Sequence, residues 1–305
     1  MTSRVVVVGA TGNLGSRVVR SLNERGATVR GLVRASTKPE AIRDLANRGV
    51  EIITVDLADK SAAIQALAGA SVVVSVLQGL GEVIVGTQTR LVKAAIEAGV
   101  PRFIPSDYAA DFTRLDDAEN RNFGYRREFH RYLDSALISS TSVLNGMFMD
   151  ILQYGMPLLD FKARSVSYWG DADQSLDFTT MDDVAAYTAA AALDDPAPGV
   201  LRIAGDQQSP RQLAALATEV LGETFTLSYM GSTEEMAATI QSVRTANPAS
   251  ETEEFPRFQQ MQYLHNMFTG RAKLNPLDND RYPGLQWTTV HQLLARRVSQ
   301  SSQRR

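Results

Sequence analysis

The stretch Val5-Val6-Val7-Val8-Gly9-Ala10-Thr11-Gly12-Asn13-Leu14-Gly15 decides the fold of this chain. Its run of valines is typical of a strand buried on both faces of a sheet, because β-branched side chains pack well there. Val18, Val19 and Leu22 then follow at helical spacing from Ser16 onward. The glycine-rich segment therefore lies between a strand and a helix, which is the context that a dinucleotide-binding loop requires.

Each glycine of this loop has a predicted task. Gly9 lets the chain leave the strand in a tight turn, Gly12 lets backbone amides approach a pyrophosphate, and Gly15 allows the helix to pack closely on the sheet. The amides at the start of the helix then point at the anion. The alternative is a tight turn in a Rossmann-like domain that binds nothing. The predicted cofactor contacts of this loop are Gly9, Thr11, Gly12, Asn13, Leu14 and Gly15.

Strand-like and helical segments alternate along the first half of the chain. Strands are predicted at residues 27–34, 50–56, 72–77 and 102–106, and helices at 39–48, 61–67 and 87–98. This spacing predicts an α/β protein with a doubly wound parallel sheet. Beyond it, residues 111–123 are predicted to form a long loop, 125–135 a helix and 140–144 a further strand.

Composition excludes several classes of site and partner. The chain has 305 residues, a formal net charge of −3, no cysteine and three histidines without ligand-like spacing. We therefore expect no metal site, no disulfide and no nucleic-acid partner. No apolar run approaches the roughly 20 residues needed to span a bilayer, and no signal peptide is evident, so a cytoplasmic protein is expected.

The residues after the second strand indicate which nicotinamide cofactor binds. NAD-preferring sites place an acidic residue there, whereas this chain has Arg34, with Lys38 four residues later. Because a guanidinium pairs well with a 2′-phosphate, the sequence predicts NADP(H). Alternatively, both residues are solvated loop charges.

Other predicted cofactor contacts follow the later strands. Asp56 ends the third strand and either reaches the adenine or caps the next helix, and Leu57 follows it. Gln78 follows the fourth strand and could flank the nicotinamide ribose. Ser106 ends the fifth strand, at the edge where open α/β sheets bind ligands, although it could instead only cap the loop.

Several separated stretches together resemble the NmrA-like atypical short-chain dehydrogenases. They are residues 9–15, 49–59, 102–108, 169–185, and 282–283 with 288–290. The branch that they resemble most is that of isoflavone reductase and phenylcoumaran benzylic ether reductase. The resemblance implies an NADP-binding Rossmann domain, a smaller lobe that binds substrate, and hydride transfer to aromatic, phenolic or quinone-like compounds.

The resemblance also implies a division of the chain. Residues 1–153 are expected to form the Rossmann domain, with a late strand and helix at about 177–204 returning to it. Residues 154–176 and 205–305 are expected to form a smaller α/β substrate lobe. Apolar residues of the later segments suit a flat hydrophobic or aromatic ligand, although most could be ordinary core residues. They are Met147, Phe148, Met149, Met156, Met261, Tyr263, Met267 and Phe268.

One position departs from the reductase branch. Its catalytic lysine aligns with Arg126, and an arginine stays protonated and cannot readily act as a base. Arg126 could stabilise an oxyanion, hold an acidic group of the substrate, or simply pair with Glu128 or Asp134 on the helix surface, as could Arg127. A loss of the chemistry is the further alternative.

Two tyrosines are candidate proton donors, Tyr108 and Tyr125, although either could serve packing alone. The Tyr-x-x-x-Lys pair of ordinary short-chain dehydrogenases is missing, because Phe112 and Phe129 follow the two tyrosines at that spacing. The leading hypothesis is an NADPH-dependent reductase of a small aromatic, enone or quinone-type compound. A non-catalytic NADP(H)-sensing regulator is the alternative, and epimerase or dehydratase chemistry on nucleotide sugars is disfavoured by the missing pair. The sequence does not predict an oligomeric state.

Overall fold

The valine run forms strand β1 (Arg4–Val8), which lies in the middle of a six-stranded parallel sheet. Val5 pairs with Val29 on one side and with Val72 on the other. The computed structural model describes residues 3–154 and 158–302. The strand order is β3-β2-β1-β4-β5-β6. The remaining strands of this sheet are β2 (Thr28–Val33), β3 (Glu51–Thr54), β4 (Val72–Ser75), β5 (Arg102–Ile104) and β6 (Ser139–Ser140).

Helices cover both faces of this sheet. They are α1 (Asn13–Glu24), α2 (Pro39–Ala46), α3 (Lys60–Leu67), α4 (Gln88–Glu97), α5 (Arg121–Leu133) and α6 (Met181–Leu193). A π-helical segment, Glu82–Thr87, leads into α4. Helices α1, α2 and α6 pack with Val5 and Val7 on one face. Helices α3, α4 and α5 pack with Val6 and Val8 on the other. The doubly wound Rossmann-type sheet that the sequence predicts is thus confirmed.

The second half of the chain adds smaller sheets and further helices. The strands are β7 (Ser142–Leu144), β8 (Met147–Phe148), β9 (Leu159–Asp160), β10 (Ser165–Tyr168), β11 (Leu176–Thr179), β12 (Val200–Arg202), β13 (Asp206–Gln208) and β14 (Thr226–Tyr229). They form the sheets β14-β10-β9 and β13-β11-β8 and the pair β12-β7. The helices are α7 (Pro210–Leu221), α8 (Thr233–Ala246), α9 (Arg257–Phe268) and α10 (Val290–Ser302). Short 3₁₀ segments lie at Phe112–Arg114, Met149–Tyr154, Pro248–Thr252 and Asn279–Arg281.

Two predicted boundaries in the middle of the chain are wrong. The segment predicted as one strand at 140–144 breaks at Thr141, so that β6 pairs with β5 while β7 pairs with β12. The helix predicted at 125–135 begins at Arg121, because the Asn120 side chain accepts hydrogen bonds from the amides of Asn122 and Phe123.

The packing of the later elements bears on the predicted lobe. Helix α6 packs with α1 in one hydrophobic cluster of the large sheet, and β12 lies beside β7. Most of the predicted apolar ligand contacts belong to cores: Met147, Met149, Met267 and Phe268 are buried in a cluster that also contains Phe178 and Phe258, with Met261 packed against it. Phe148 packs against the core cluster that contains Val5 and Val7, and Tyr263 packs against a small cluster that contains Phe112 and Phe123. Met156 lies outside the described residues. None of the described helices is long and apolar enough to cross a membrane.

Candidate functional site

The glycine loop between β1 and α1 has the geometry that its sequence predicts. Gly9 has a φ of +86°, and a Cβ placed there would lie 2.6 Å from the Val76 carbonyl oxygen. A Cβ on Gly15 would lie 2.1 Å from the Gly9 carbonyl oxygen. Only glycine therefore permits the turn and the close approach of α1 to the end of β1.

Gly12 lies in a different environment. It is the N-cap residue of α1, with an extended backbone and no side chain to cap the first turn. Among the described residues other than its chain neighbours, a Cβ there would come within 4 Å only of the Gly9 carbonyl oxygen, at 3.3 Å. The first turn of α1 thus has no side-chain cap and little packed against Gly12, which suits a phosphate. Thr11 is half-buried in the loop, and Asn13 is exposed with its Oδ1 accepting from Arg17 Nε at 3.1 Å.

The predicted 2′-phosphate residues lie at the end of β2. Arg34 directly follows the strand and is exposed, and its backbone closes a turn with Thr37 through a bond from the Thr37 amide to the Arg34 carbonyl at 2.9 Å. Lys38 is the exposed N-cap residue of α2. Within the described ranges neither side chain has a hydrogen bond or ion pair. Both charges are therefore available to an anion.

Asp56 lies beyond the end of β3, and its Oδ1 accepts a hydrogen bond from the Ala58 amide at 2.9 Å. The cap of α3 is Asp59, whose side chain accepts from the Ala62 amide. The helix-cap alternative for Asp56 is therefore wrong. Leu57 is partly buried and packs on the face of the sheet that helices α3, α4 and α5 cover.

Gln78 and Ser106 lie beyond the carboxyl ends of β4 and β5. Ser106 is buried; its hydroxyl donates to the Leu77 carbonyl at 2.6 Å and its amide donates to Gln88 Oε1. It thus connects the ends of the two strands. Gln78 is exposed, and its Nε2 donates to Glu254 Oε2 at 2.7 Å. This contact joins the end of β4 to the segment before α9, at the edge where a nicotinamide is expected.

Helix α5 carries the other candidate residues. The Tyr125 ring lies against Gly81, since a Cβ on that glycine would come within 3.1 Å of the ring. Arg126 is half-buried and donates from Nη1 to the Asn122 carbonyl at 3.1 Å. The predicted surface pairing of these arginines with Glu128 or Asp134 is wrong, because Arg127 binds Asp117 and Arg126 has no ion pair in the described part of the chain.

Tyr108 lies in the core and not at the open edge. Its ring packs in the same cluster as Val184 and Ala185 of α6, and its buried hydroxyl faces Thr188 without a hydrogen bond of ordinary geometry. Burial raises the pKa of this hydroxyl, with Thr188 partly offsetting the rise and Asp107 adding to it. This placement favours the packing alternative over a role as proton donor.

A buried polar cluster next to this edge was missed by the sequence analysis. Asp107 is fully buried, and its Oδ2 accepts from His130 Nε2 at 2.6 Å and from the Ser142 hydroxyl at 2.7 Å. The sequence carries no local signal for this pair, because Asp107 and His130 are 23 residues apart and only the folded chain brings them together.

A second missed residue is Arg121, which is buried at the start of α5. Its guanidinium donates to the backbone carbonyls of Glu251, Glu253 and Glu254 at 2.9, 2.8 and 3.1 Å. These bonds hold in place the segment that contains Glu254, whose side chain contacts Gln78. No local sequence pattern predicts this contact, because its two residues are 130 positions apart.

The chain is similar to known proteins in sequence and in fold. Residues 1–291 match the NmrA-like family. An isoflavone reductase homologue from Zea mays is 30% identical over 245 residues, which cover 75% of this chain and 77% of that protein. Alignments with several other curated relatives span 64% to 66% of the relative's length.

Two solved structures have the same fold. The complex of leucoanthocyanidin reductase with NADPH from Vitis vinifera superimposes with a TM-score of 0.81 at 19% identity, over 97% of this chain and all of that one. An NADPH-dependent quinone oxidoreductase from Escherichia coli superimposes with a TM-score of 0.71 at 22% identity, over 96% of this chain and 99% of that one.

Proposed function

The chain belongs to the NmrA-like family, and we propose that it is an NADPH-dependent reductase that transfers hydride to a small aromatic, enone or quinone-type compound. The observation that carries this proposal is the uncapped first turn of α1 together with Arg34 and Lys38 at the end of β2, whose side chains have no hydrogen bond or ion pair with any described residue. The names of the similar proteins support it, since the Vitis vinifera structure contains NADPH and the Escherichia coli protein is described as an NADPH-dependent quinone oxidoreductase.

The residues of the loop and of the strand ends would hold the cofactor. The turn at Gly9, Thr11 and Gly12 and the amides of residues 13–15 would receive the pyrophosphate. Arg34 and Lys38 would receive the 2′-phosphate through charge-assisted hydrogen bonds. Asp56 and Leu57 would lie near the adenine, and Gln78 and Ser106 near the nicotinamide ribose. NADPH bound in this way supplies the hydride.

Arg126 would act on the charge that develops during reduction. When hydride reaches a quinone or enone, the electron pair of the broken C=C or C=O bond moves onto oxygen, and one proton completes the reduction. An arginine remains a cation throughout, so Arg126 would stabilise this anionic oxygen and not serve as a base. Tyr125, on the same turn of α5, is the hydroxyl that we assign as candidate donor of the proton, with solvent as its source.

The proposal is tested by following the loss of NADPH absorbance with a panel of quinones, enones and benzylic ethers. We expect turnover with at least one acceptor class. Arg126→Ala should lower kcat while leaving NADPH affinity unchanged, and Arg127→Ala, which removes the neighbouring arginine that is paired with Asp117, should change neither. No oxidation with any acceptor, from protein shown to bind NADPH, would contradict the reductase proposal.

A cofactor-sensing regulator is the second candidate, and the arginine at position 126 with the missing Tyr-x-x-x-Lys pair favours it. Such a protein would bind NADPH and NADP⁺ with unequal affinity and consume neither. Calorimetric titration with both forms distinguishes it from a reductase, because a reductase also shows acceptor-dependent oxidation.

A further inference from the structure

One face of α5 lies between the two lobes. Asn122, Arg126 and His130 are spaced by four residues and therefore share a helix face. Asn122 Nδ2 donates to the Glu254 carbonyl and the Tyr263 hydroxyl of the second lobe, at 3.2 and 3.0 Å. At the other end of the face, His130 contacts Asp107 at the end of β5. Arg126 consequently lies between the second lobe and the edge of the large sheet.

The guanidinium of Arg126 is half-buried and its charge is not balanced. Its only hydrogen bond within the described ranges runs from Nη1 to the Asn122 carbonyl, and its Nε is buried without a partner. The neighbouring arginines differ, because Arg121 contacts Glu251 and Arg127 contacts Asp117. A cation that has lost part of its hydration and has no counter-ion is costly, so this site favours an anion.

The acidic side chains around this face are already occupied. Asp107 binds His130, Glu254 accepts from Gln78, and Glu251 is paired with Arg121 and Arg244. None of them is within ion-pair distance of Arg126. The counter-ion must therefore come with a ligand.

We propose that Arg126 selects substrates that carry a carboxylate, which its planar fork of donors binds. This inference rests on the proposed function for the nature of the acceptor. It goes further by assigning Arg126 as a specificity-determining residue that holds the substrate carboxylate, a role separate from the oxyanion stabilisation proposed above for acceptors that carry no carboxylate.

The test is a binding comparison between carboxylates and their neutral amides on protein saturated with NADP⁺. Three matched pairs of increasing size are suitable: benzoate and benzamide, cinnamate and cinnamamide, 2-naphthoate and 2-naphthamide. Calorimetry should show at least one carboxylate binding about ten- to a hundredfold tighter than its amide, as for a charge-assisted hydrogen bond out of water. Arg126→Gln should abolish this preference, and Arg127→Gln should retain it.

Several outcomes would overturn the inference. They are no preference for the carboxylate in any pair, a preference that survives in Arg126→Gln, and an equal loss in Arg127→Gln. A loss of NADP⁺ affinity in Arg126→Gln would do the same, because it would make the cofactor the anion that this residue binds. Since no turnover is needed, a protein that prefers carboxylates but never oxidises NADPH contradicts only the proposed function. A protein that reduces neutral quinones and shows no preference contradicts only this inference.

Discussion

His130 Nε2 lies 2.6 Å from Asp107 Oδ2, and this contact fixes the middle of α5 to the end of β5. Burial of the imidazole opposes its protonation, but the Asp107 carboxylate, with Asp134 at 3.4 Å from Nδ1, outweighs that effect and raises the pKa of His130 to about 9. The helix that presents Tyr125 and Arg126 is therefore held at neutral pH by a charged and largely buried pair.

The first prediction concerns stability against pH. Because the pKa of His130 is raised on folding, its stabilisation is fully present below about pH 6.5 and is lost as pH rises through about 9. A shift of this size corresponds to roughly 3 kcal/mol at most. The free energy of unfolding of the wild type should therefore exceed that of His130→Gln most at low pH, and the difference should shrink towards pH 9 and above.

Denaturant titrations at several pH values measure this difference. Asp134→Asn removes only the exposed partner and should preserve most of the pH dependence. A difference between the wild type and His130→Gln that stays constant over the whole range would show that the pair contributes by packing alone.

The second prediction separates two glycines of the nucleotide loop. Gly12→Val places a side chain in the space next to the α1 amides and should abolish NADPH binding while the Tm stays close to that of the wild type. Gly15→Val forces a Cβ to within 2.1 Å of the Gly9 carbonyl and should lower the Tm strongly or prevent folding. Fluorescence titration with NADPH and thermal unfolding check both; NADPH binding retained by Gly12→Val would remove the assignment of the loop.

The third prediction concerns cofactor preference. Arg34→Asp should weaken NADPH binding by about ten- to a hundredfold and NADH binding far less, because only NADPH carries the 2′-phosphate. Arg43→Asp makes the same charge change on the exposed surface of α2 and should affect the two cofactors alike. An equal loss of NADPH and NADH affinity in Arg34→Asp would assign Arg34 to the solvated loop.

The elements that the sequence predicts well are those with local determinants. The valine run, the glycine turn and the alternation of strands with helices depend on neighbours within a few residues, and the central sheet follows them. The start of α5 does not depend on local residues alone, because Asn120 is held in place by Gln259 and Asn266 of α9. The tertiary contacts extend the helix four residues towards its amino end.

The candidate site also contains features with local determinants, which the sequence predicts, and features that depend on tertiary contacts, which it does not. The tight turn and close packing of the glycine loop could be predicted, because Gly9 and Gly15 each meet a local steric demand. The His130–Asp107 pair and the Gln78–Glu254 bridge could not, because each joins residues that only the folded chain brings together. Tyr108 is the opposite case. The sequence makes it a candidate proton donor, but in the fold its side chain packs in the core with residues of α6.

The last prediction tests whether Asn120 is more than a helix cap. Its Oδ1 accepts from the amides of Asn122 and Phe123 and from Gln259 Nε2, and its Nδ2 donates to Asn266 Oδ1. Asn120→Ala removes the cap and also leaves buried amide groups without partners, so the free energy of unfolding should fall by about 3 kcal/mol.

The matched variant is Ser232→Ala, which removes the capping box of α8 at the surface and should cost about 1 kcal/mol. Urea denaturation of both variants measures the difference. A loss in Asn120→Ala no larger than that in Ser232→Ala would mean that the buried amides of α9 find other partners. The early start of α5 would then depend on local capping alone.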